Sequence, residues 1–157
     1  MGKLGTAPTK GAGGSTVFDD PQSPAWNPLL EAAWAARERA HAPYSRFRVG
    51  AALLTASGQV VAGCNVENAA YPVGLCAERG AVSAAVAQGM IPGGLVAAVV
   101  VTDAERLTPP CGACRQVLVE FAEDLPILLA NRQVRQVHRL ADLLPHGFSG
   151  RNLQTGG

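Results

Sequence analysis

Two patterns of apolar positions recur along the chain and predict its elements. Nearly unbroken apolar runs at 95–102 and 126–130 predict strands that are buried on both faces. Two further strand patterns, at 47–55 and 59–64, are joined by a Ser-Gly pair and predict a β-hairpin. A weaker strand pattern follows at 134–138.

Apolar residues spaced three or four apart predict the helices between these strands. Asn27 is a candidate N-cap, followed by Pro28 at the first helical position. This helix is predicted to run to about His41 and to end before Pro43. Further helices are predicted at 76–88, from 111 or 112 to 121, and at 141–144. The alternation of helices and strands predicts an α/β fold, a three-layer α/β/α sandwich with a five-stranded mixed sheet.

Composition and charge bear on the domain organisation, the partners and the role of the cysteines. The 157 residues suit one domain, and the net charge of +1 argues against a nucleic-acid or membrane partner. Glycine, both lysines and no arginine in the first stretch predict a flexible tail over 1–25, a domain over 26–152 and a short tail over 153–157. No secretory pattern is present, so we expect a cytoplasmic protein, in which four cysteines indicate metal binding or catalysis.

Three of the cysteines form a candidate zinc site. Cys76 precedes Ala77-Glu78, and a Cys-x-x-Cys pair, Cys111 and Cys114, begins 35 positions later (111 − 76). Three thiolates hold zinc and leave its fourth tetrahedral position open, as catalysis requires. Glu78, which is not a ligand in this scheme, is placed to move protons between a water and a substrate. This combination is the signature of zinc nucleobase deaminases, with Cys in place of the commoner His.

Both halves of this motif fall at predicted helix N-termini. Zinc with three thiolates has a formal charge of −1, which the positive ends of two helix dipoles would offset. We expect Arg79 to add a full positive charge and hydrogen bonds to the thiolate sulfurs. The alternative is that Arg79 is an ordinary surface residue of an amphipathic helix.

Other uses of the cysteines remain open from the residues alone. Cys64 is the one spare thiol and would close a structural zinc site, or would be a small buried apolar residue. Cys111 and Cys114 alone would form a redox dithiol, which leaves Cys76 and Glu78 without a role. A non-catalytic zinc-stabilised binding domain is the alternative from another functional class.

With these residues laid out, the chain resembles the small, three-cysteine, homotetrameric cytidine deaminases over residues 27–152. Five blocks carry the resemblance in order: Pro43-Tyr44-Ser45-Arg46-Phe47-Arg48-Val49-Gly50-Ala51-Ala52-Leu53, Gly63-Cys64-Asn65-Val66-Glu67-Asn68-Ala69-Ala70-Tyr71, Leu75-Cys76-Ala77-Glu78-Arg79, Pro109-Pro110-Cys111-Gly112-Ala113-Cys114-Arg115-Gln116-Val117-Leu118 and Leu143-Leu144-Pro145-His146-Gly147-Phe148. Gly80 departs from the family pattern, and a glycine inside a helix suggests a close backbone approach there.

The resemblance implies the cytidine deaminase fold and one Zn²⁺ per subunit, bound by Cys76, Cys111 and Cys114. It implies hydrolysis of cytidine or deoxycytidine to the uridine nucleoside and ammonia, a pyrimidine salvage reaction. In that reaction zinc-bound hydroxide attacks C4 of the ring, and Glu78 carries protons to N3 and to the leaving ammonia. A deaminase of another aminopyrimidine, such as a nucleoside antibiotic, is a rival within the same chemistry.

The resemblance also implies the residues that contact the nucleoside. Asn65 and Glu67 would bind the ribose hydroxyls, and Phe47 would lie against the base. Phe148 would reach into the site of a neighbouring subunit of a homotetramer. Taken singly, each has an ordinary explanation: a turn asparagine, a solvated glutamate and two core aromatic rings.

Overall fold

The computed structural model describes residues 16–153, so residues 1–15 of the predicted tail and residues 154–157 lie outside the described part. A single mixed sheet forms its centre, with strands in the order β2-β1-β3-β4-β5. The strands are β1 Gly50–Thr55, β2 Val60–Cys64, β3 Leu95–Val101, β4 Pro126–Ala130 and β5 Arg135–Arg139. β3 and β4 are parallel, and the other neighbouring pairs are antiparallel.

Helices cover both faces of this sheet, so the predicted three-layer α/β/α architecture is confirmed. The helices are α1 Asn27–Glu38, α2 Ala77–Ala87, α3 Gly112–Phe121 and α4 Leu140–Leu143, with short 3₁₀ turns at Pro24–Trp26, Tyr71–Val73 and Gly150–Leu153. α1 packs on one face, while α2, α3 and α4 pack on the other. Among residues 16–153, no helix is long and apolar enough to cross a bilayer.

Strand β3 explains why its sequence run is almost wholly apolar. Val99 and Val101 pack against the α1 layer, and Ala98 and Val100 pack against the layer of α2 and α3. Since successive side chains of a strand point to opposite faces, a strand covered on both sides needs apolar residues at every position. The prediction for this run is confirmed.

Two predicted boundaries are wrong, and both errors come from the same loop. β1 begins at Gly50 rather than at residue 47, and α1 ends at Glu38 rather than near His41. The backbone N–H of His41 donates to the Asn65 carbonyl (3.1 Å), and the Glu67 N–H donates to the His41 carbonyl (2.7 Å). These bonds to a distant loop replace the helical ones. The smaller shifts at β5, α4 and the start of α1 are one residue each.

The close backbone approach lies at Gly63 of β2 and not at Gly80. A Cβ at Gly63 would stand 2.5 Å from both the Ala77 carbonyl oxygen and the Ala81 nitrogen of α2. At Gly80 the nearest atom would be a Leu75 methyl group at 3.5 Å, an ordinary contact. The expectation for Gly80 is therefore wrong, and Gly63 is the residue that lets the first turn of α2 approach the sheet.

Candidate active site

Three thiols separated along the chain come together where α2 and α3 begin side by side. Cys76 precedes the first residue of α2, Cys111 precedes α3, and Cys114 lies in the first turn of α3. Their Sγ atoms lie within 4.8 Å of one another, with 3.8 Å between Cys76 and Cys111 and 3.5 Å between Cys111 and Cys114. Both helices pack on the same face of the sheet, which fixes this spacing.

This geometry fits zinc. Tetrahedral ligands at the usual Zn–S distance of ~2.3 Å stand about 3.8 Å apart, close to the separations in this cluster. Within residues 16–153, no fourth Cys, His, Asp or Glu joins the three cysteines, and Cys64 lies outside the cluster. The alternative of a structural site closed by Cys64 is therefore wrong. The three thiols fit a metal centre that keeps one position for a water.

Burial and hydrogen bonds shift the pKa values of two of the thiols in different directions. Burial acts to raise the pKa of Cys111, but hydrogen bonds with the backbone N–H and the thiol of Cys114 and with the thiol of Cys76 bring that pKa below its ordinary value. Burial raises the pKa of Cys114, and the nearby carboxylate of Glu78 adds to the effect. Cys114 therefore needs a metal ion to become a thiolate at neutral pH.

Arg79 lies against the first of the three sulfurs. Its Nη2 atom lies 3.7 Å from Cys76 Sγ and donates a hydrogen bond to the Gly74 carbonyl oxygen at 3.2 Å. The hydrogen bond to Cys76 is the main cause that raises the pKa of Arg79. The guanidinium thus places a fixed positive charge beside the metal cluster.

Glu78 is a buried carboxyl in the first turn of α2. Only 5% of the residue is exposed, and burial is the main cause that raises its pKa above the ordinary value. Its side chain belongs to the lining of a cavity of about 400 Å³ that also includes Cys76 and Cys111. A carboxyl of raised pKa that faces a substrate-sized cavity is suited to accept and donate a proton near neutral pH.

The same cavity brings together three of the four residues expected to contact a nucleoside. Phe47, Asn65 and Glu67 all line it, together with Leu75, Val100 and Thr108. Asn65 joins the loop after β2 to the segment before β1. Its Nδ2 donates to the Phe47 carbonyl and its Oδ1 accepts from the Val49 N–H, both at 2.8 Å. Asn65 therefore fixes the segment that carries Phe47.

Glu67 is held by the neighbouring loop. Its Oε2 accepts the backbone N–H of Tyr44 (2.9 Å) and of Ser45 (3.2 Å), and its Oε1 accepts the hydroxyl of Ser45. The Ser45 hydroxyl is the main cause that lowers the pKa of this carboxyl. Glu67 is thus an ionised acceptor, suited to the hydroxyl groups of a sugar.

Phe148 does not join the lining of this cavity. It is 57% exposed, and its carbonyl oxygen accepts a hydrogen bond from Gln116 Nε2 of α3 at 2.7 Å. The bond attaches the C-terminal segment to the helix that carries Cys114. Phe148 is therefore exposed on the surface of the chain.

Sequence reasoning missed two residues that shape the site. Ser45 appears in the quoted motif without a role, although its hydroxyl links Glu67 and the Phe47 backbone. Arg115 donates from Nε to the Pro110 carbonyl (2.8 Å) and from Nη1 to the Leu143 carbonyl (2.6 Å), which fixes the turn before Cys111. Both residues lie inside the quoted motifs, but neither motif indicated which groups these side chains would bond.

An open three-thiol metal site beside a buried carboxyl, carried by this α/β/α sheet, defines a zinc-dependent hydrolase of the nucleobase-deaminase class. Residues 26–128 match the family described as the cytidine and deoxycytidylate deaminase zinc-binding region. The chain belongs to this family and is an enzyme with zinc as its cofactor.

Named relatives agree with this assignment. A relative called cytidine deaminase from Halalkalibacterium halodurans is 44% identical over 128 residues, which are 80% of this chain and 95% of the relative. The crystal structure of cytidine deaminase from Burkholderia pseudomallei is similar with a TM-score of 0.75 at 50% identity, over 78% of this chain and 98% of that one. The crystal structure of cytidine deaminase from Mycobacterium tuberculosis is similar with a TM-score of 0.68 at 44% identity, over 78% of this chain and 96% of that one.

Proposed function

We propose that the protein hydrolyses cytidine and deoxycytidine to uridine and deoxyuridine with release of ammonia, as a step in pyrimidine salvage. The single observation that carries this is the position of Glu78, buried in the wall of a cavity that also contains two of the three zinc thiols. The relatives named cytidine deaminase support the substrate class.

Zinc held by Cys76, Cys111 and Cys114 supplies the Lewis acidity that makes a water nucleophilic near neutral pH. Glu78 accepts a proton from the attacking water and delivers it to N3 of the pyrimidine. Protonation at N3 withdraws electrons from C4, which makes C4 the position of attack. Glu78 then takes the remaining proton from the hydroxyl group added at C4 and gives it to the amino group. The C4–N bond breaks, ammonia leaves and the C4 carbonyl of the uridine forms.

Arg79 would tune this chemistry without contacting the substrate. Its guanidinium is 3.7 Å from Cys76 Sγ and withdraws electron density from that sulfur. The N-termini of α2 and α3 act in the same direction through their dipoles. Together they would keep a zinc with three thiolate ligands sufficiently electrophilic.

The other residues of the cavity would orient the nucleoside. The Phe47 ring would pack against the pyrimidine, while Asn65 and Glu67 would receive the sugar hydroxyls. The exposed Phe148 would cover the active site of a neighbouring subunit in a homotetramer. With a net charge of +1 in the whole chain, the substrate would be a free nucleoside in the cytoplasm and not a polynucleotide.

The test is to measure zinc per chain and ammonia released from cytidine on the same sample. We expect one zinc per chain and ammonia in step with loss of the cytidine absorbance, for both cytidine and deoxycytidine. A panel that includes aminopyrimidine antibiotics checks the substrate class. Full metal loading without ammonia from any cytidine nucleoside would contradict the proposal and favour a zinc-stabilised binding domain.

A further inference from the structure

Ser45 lies where two cavities meet. One is the cavity of about 400 Å³ that contains Glu78, and the other, of about 380 Å³, is lined by Tyr44 and Tyr71; Ser45 and Glu67 line both. Since Glu67 is the proposed acceptor of the sugar hydroxyls, this position would make Ser45 a neighbour of the sugar. Its hydroxyl has no role in the reaction described above.

The hydrogen bonds of Glu67 leave room for one more donor. An ionised carboxylate has about four acceptor positions on its two oxygens. Oε2 accepts the N–H groups of Tyr44 and Ser45, and Oε1 accepts the Ser45 hydroxyl. Three positions are therefore filled, and the fourth, on the oxygen that Ser45 already holds, is left for a sugar hydroxyl.

The same hydroxyl also fixes the aromatic residue. Ser45 Oγ accepts the backbone N–H of Phe47 at 3.0 Å, while Asn65 Nδ2 donates to the Phe47 carbonyl. Both backbone polar groups of Phe47 are thus held by side chains. Arg46 lies between Ser45 and Phe47 and has a φ of 59°, a strained conformation for a residue with a side chain. The bonds to Ser45 and Phe47 maintain this conformation.

We propose that Ser45 is a positioning residue for the deaminase, which directs the free acceptor position of Glu67 towards the 3′-hydroxyl of the sugar and keeps Phe47 in register with it. The inference rests on the proposed function, because it takes Glu67 as the sugar acceptor. It adds that recognition of the 3′-hydroxyl depends on a hydroxyl group two residues before Phe47. The role of Ser45 is in substrate affinity and not in the chemical step.

The test compares cytidine with 3′-deoxycytidine on the zinc-loaded protein and on the Ser45→Ala variant. For Ser45→Ala we expect KM for cytidine to rise about tenfold, the usual effect of losing a hydrogen bond to a charged group, with kcat within about twofold. For 3′-deoxycytidine, KM should rise less than about threefold, because the missing hydroxyl leaves Glu67 nothing to bind. Ser45→Thr should restore the KM for cytidine.

The control is Ser57→Ala, which removes a hydroxyl bonded to Thr55 in the β1–β2 turn and should leave both KM values unchanged. An equal rise in KM for both nucleosides in Ser45→Ala would overturn the inference, as would a fall in kcat alone. Failure of the proposed function looks different, since it is seen in the unmodified protein. That protein would then fail to release ammonia from cytidine. If it released ammonia but had the same KM for the two nucleosides, the proposed function would stand and only the inference about the 3′-hydroxyl would be overturned.

Discussion

The guanidinium of Arg79 and the sulfur of Cys76 lie 3.7 Å apart, on residues about one helical turn apart at the start of α2. A metal ligand and a cation are thus held together by local helical geometry. The pairing places a positive charge next to a centre with an excess of negative charge.

Arg79→Gln should retain zinc but lower turnover about tenfold, because loss of a hydrogen-bonding partner of a metal ligand weakens the Lewis acid. Metal content by atomic absorption and steady-state deamination of cytidine measure the two effects. Arg151→Gln is the matched control and should leave turnover unchanged, since Arg151 makes an exposed ion pair with Glu123, away from the three thiols. Unchanged turnover in Arg79→Gln would contradict the role given to Arg79.

Glu78→Gln should keep one zinc per chain and lose about a thousandfold in kcat, because the amide cannot carry the proton to N3. Single-turnover measurements with cytidine would detect the residual rate. Glu120→Gln, on the exposed side of α3, is the control for removing one carboxylate. Retained turnover in Glu78→Gln would show that another group moves the proton.

Zinc affinity should rise with pH. Burial raises the pKa of the Cys114 thiol in the metal-free protein, so this ligand is protonated at neutral pH and zinc must displace its proton. The zinc dissociation constant should therefore fall as pH increases, with about one to two protons released per zinc bound. Calorimetry in buffers of different ionisation enthalpy counts these protons, and an affinity that is independent of pH would contradict the expectation.

Gly63→Ala should destabilise the protein by about 2–3 kcal/mol, because its methyl group would overlap the backbone of α2. Gly80→Ala is the matched comparison and should stabilise by roughly 0.5–1 kcal/mol, since its methyl group meets only ordinary contacts in a helix. Chemical unfolding of the zinc-loaded variants gives both free energies. A similar effect from the two substitutions would contradict the close approach assigned to Gly63.

Phe148→Ala should raise KM for cytidine about tenfold if its ring covers a neighbouring active site, by loss of apolar contact with the nucleoside. Hybrid oligomers with Glu78→Gln subunits make the test specific. An intact Phe148 on a Glu78→Gln subunit should restore a low KM to the site of a Phe148→Ala neighbour. A fully active monomer in sedimentation experiments would remove this role.

The sequence was sufficient for those features that depend on local pattern. The apolar run of β3 predicted a strand covered on both faces, and the spacing of Cys76, Cys111 and Cys114 predicted a single cluster of thiols. Both are confirmed because a buried strand and a metal site each demand specific residue types at specific positions.

Features that depend on long-range hydrogen bonds were not predictable. The segment at 47–49 has the pattern of a strand, but the Phe47 carbonyl and the Val49 N–H bond to the Asn65 side chain instead of a neighbouring strand. The link from Ser45 to Glu67 spans 22 residues and has no periodic signature. Likewise, only the packed structure shows that Gly63 and not Gly80 meets α2 closely.

The cavity has two walls built from different parts of the chain, which meet where Val66 pairs with Leu75. The metal wall belongs to the starts of α2 and α3, whereas the opposite wall is a loop fastened by the side chains of Asn65 and Glu67. With the proposed function, the reaction chemistry would belong to the first wall and nucleoside selectivity to the second. Substitutions confined to the loop would then change which nucleoside is accepted while the reaction itself is preserved.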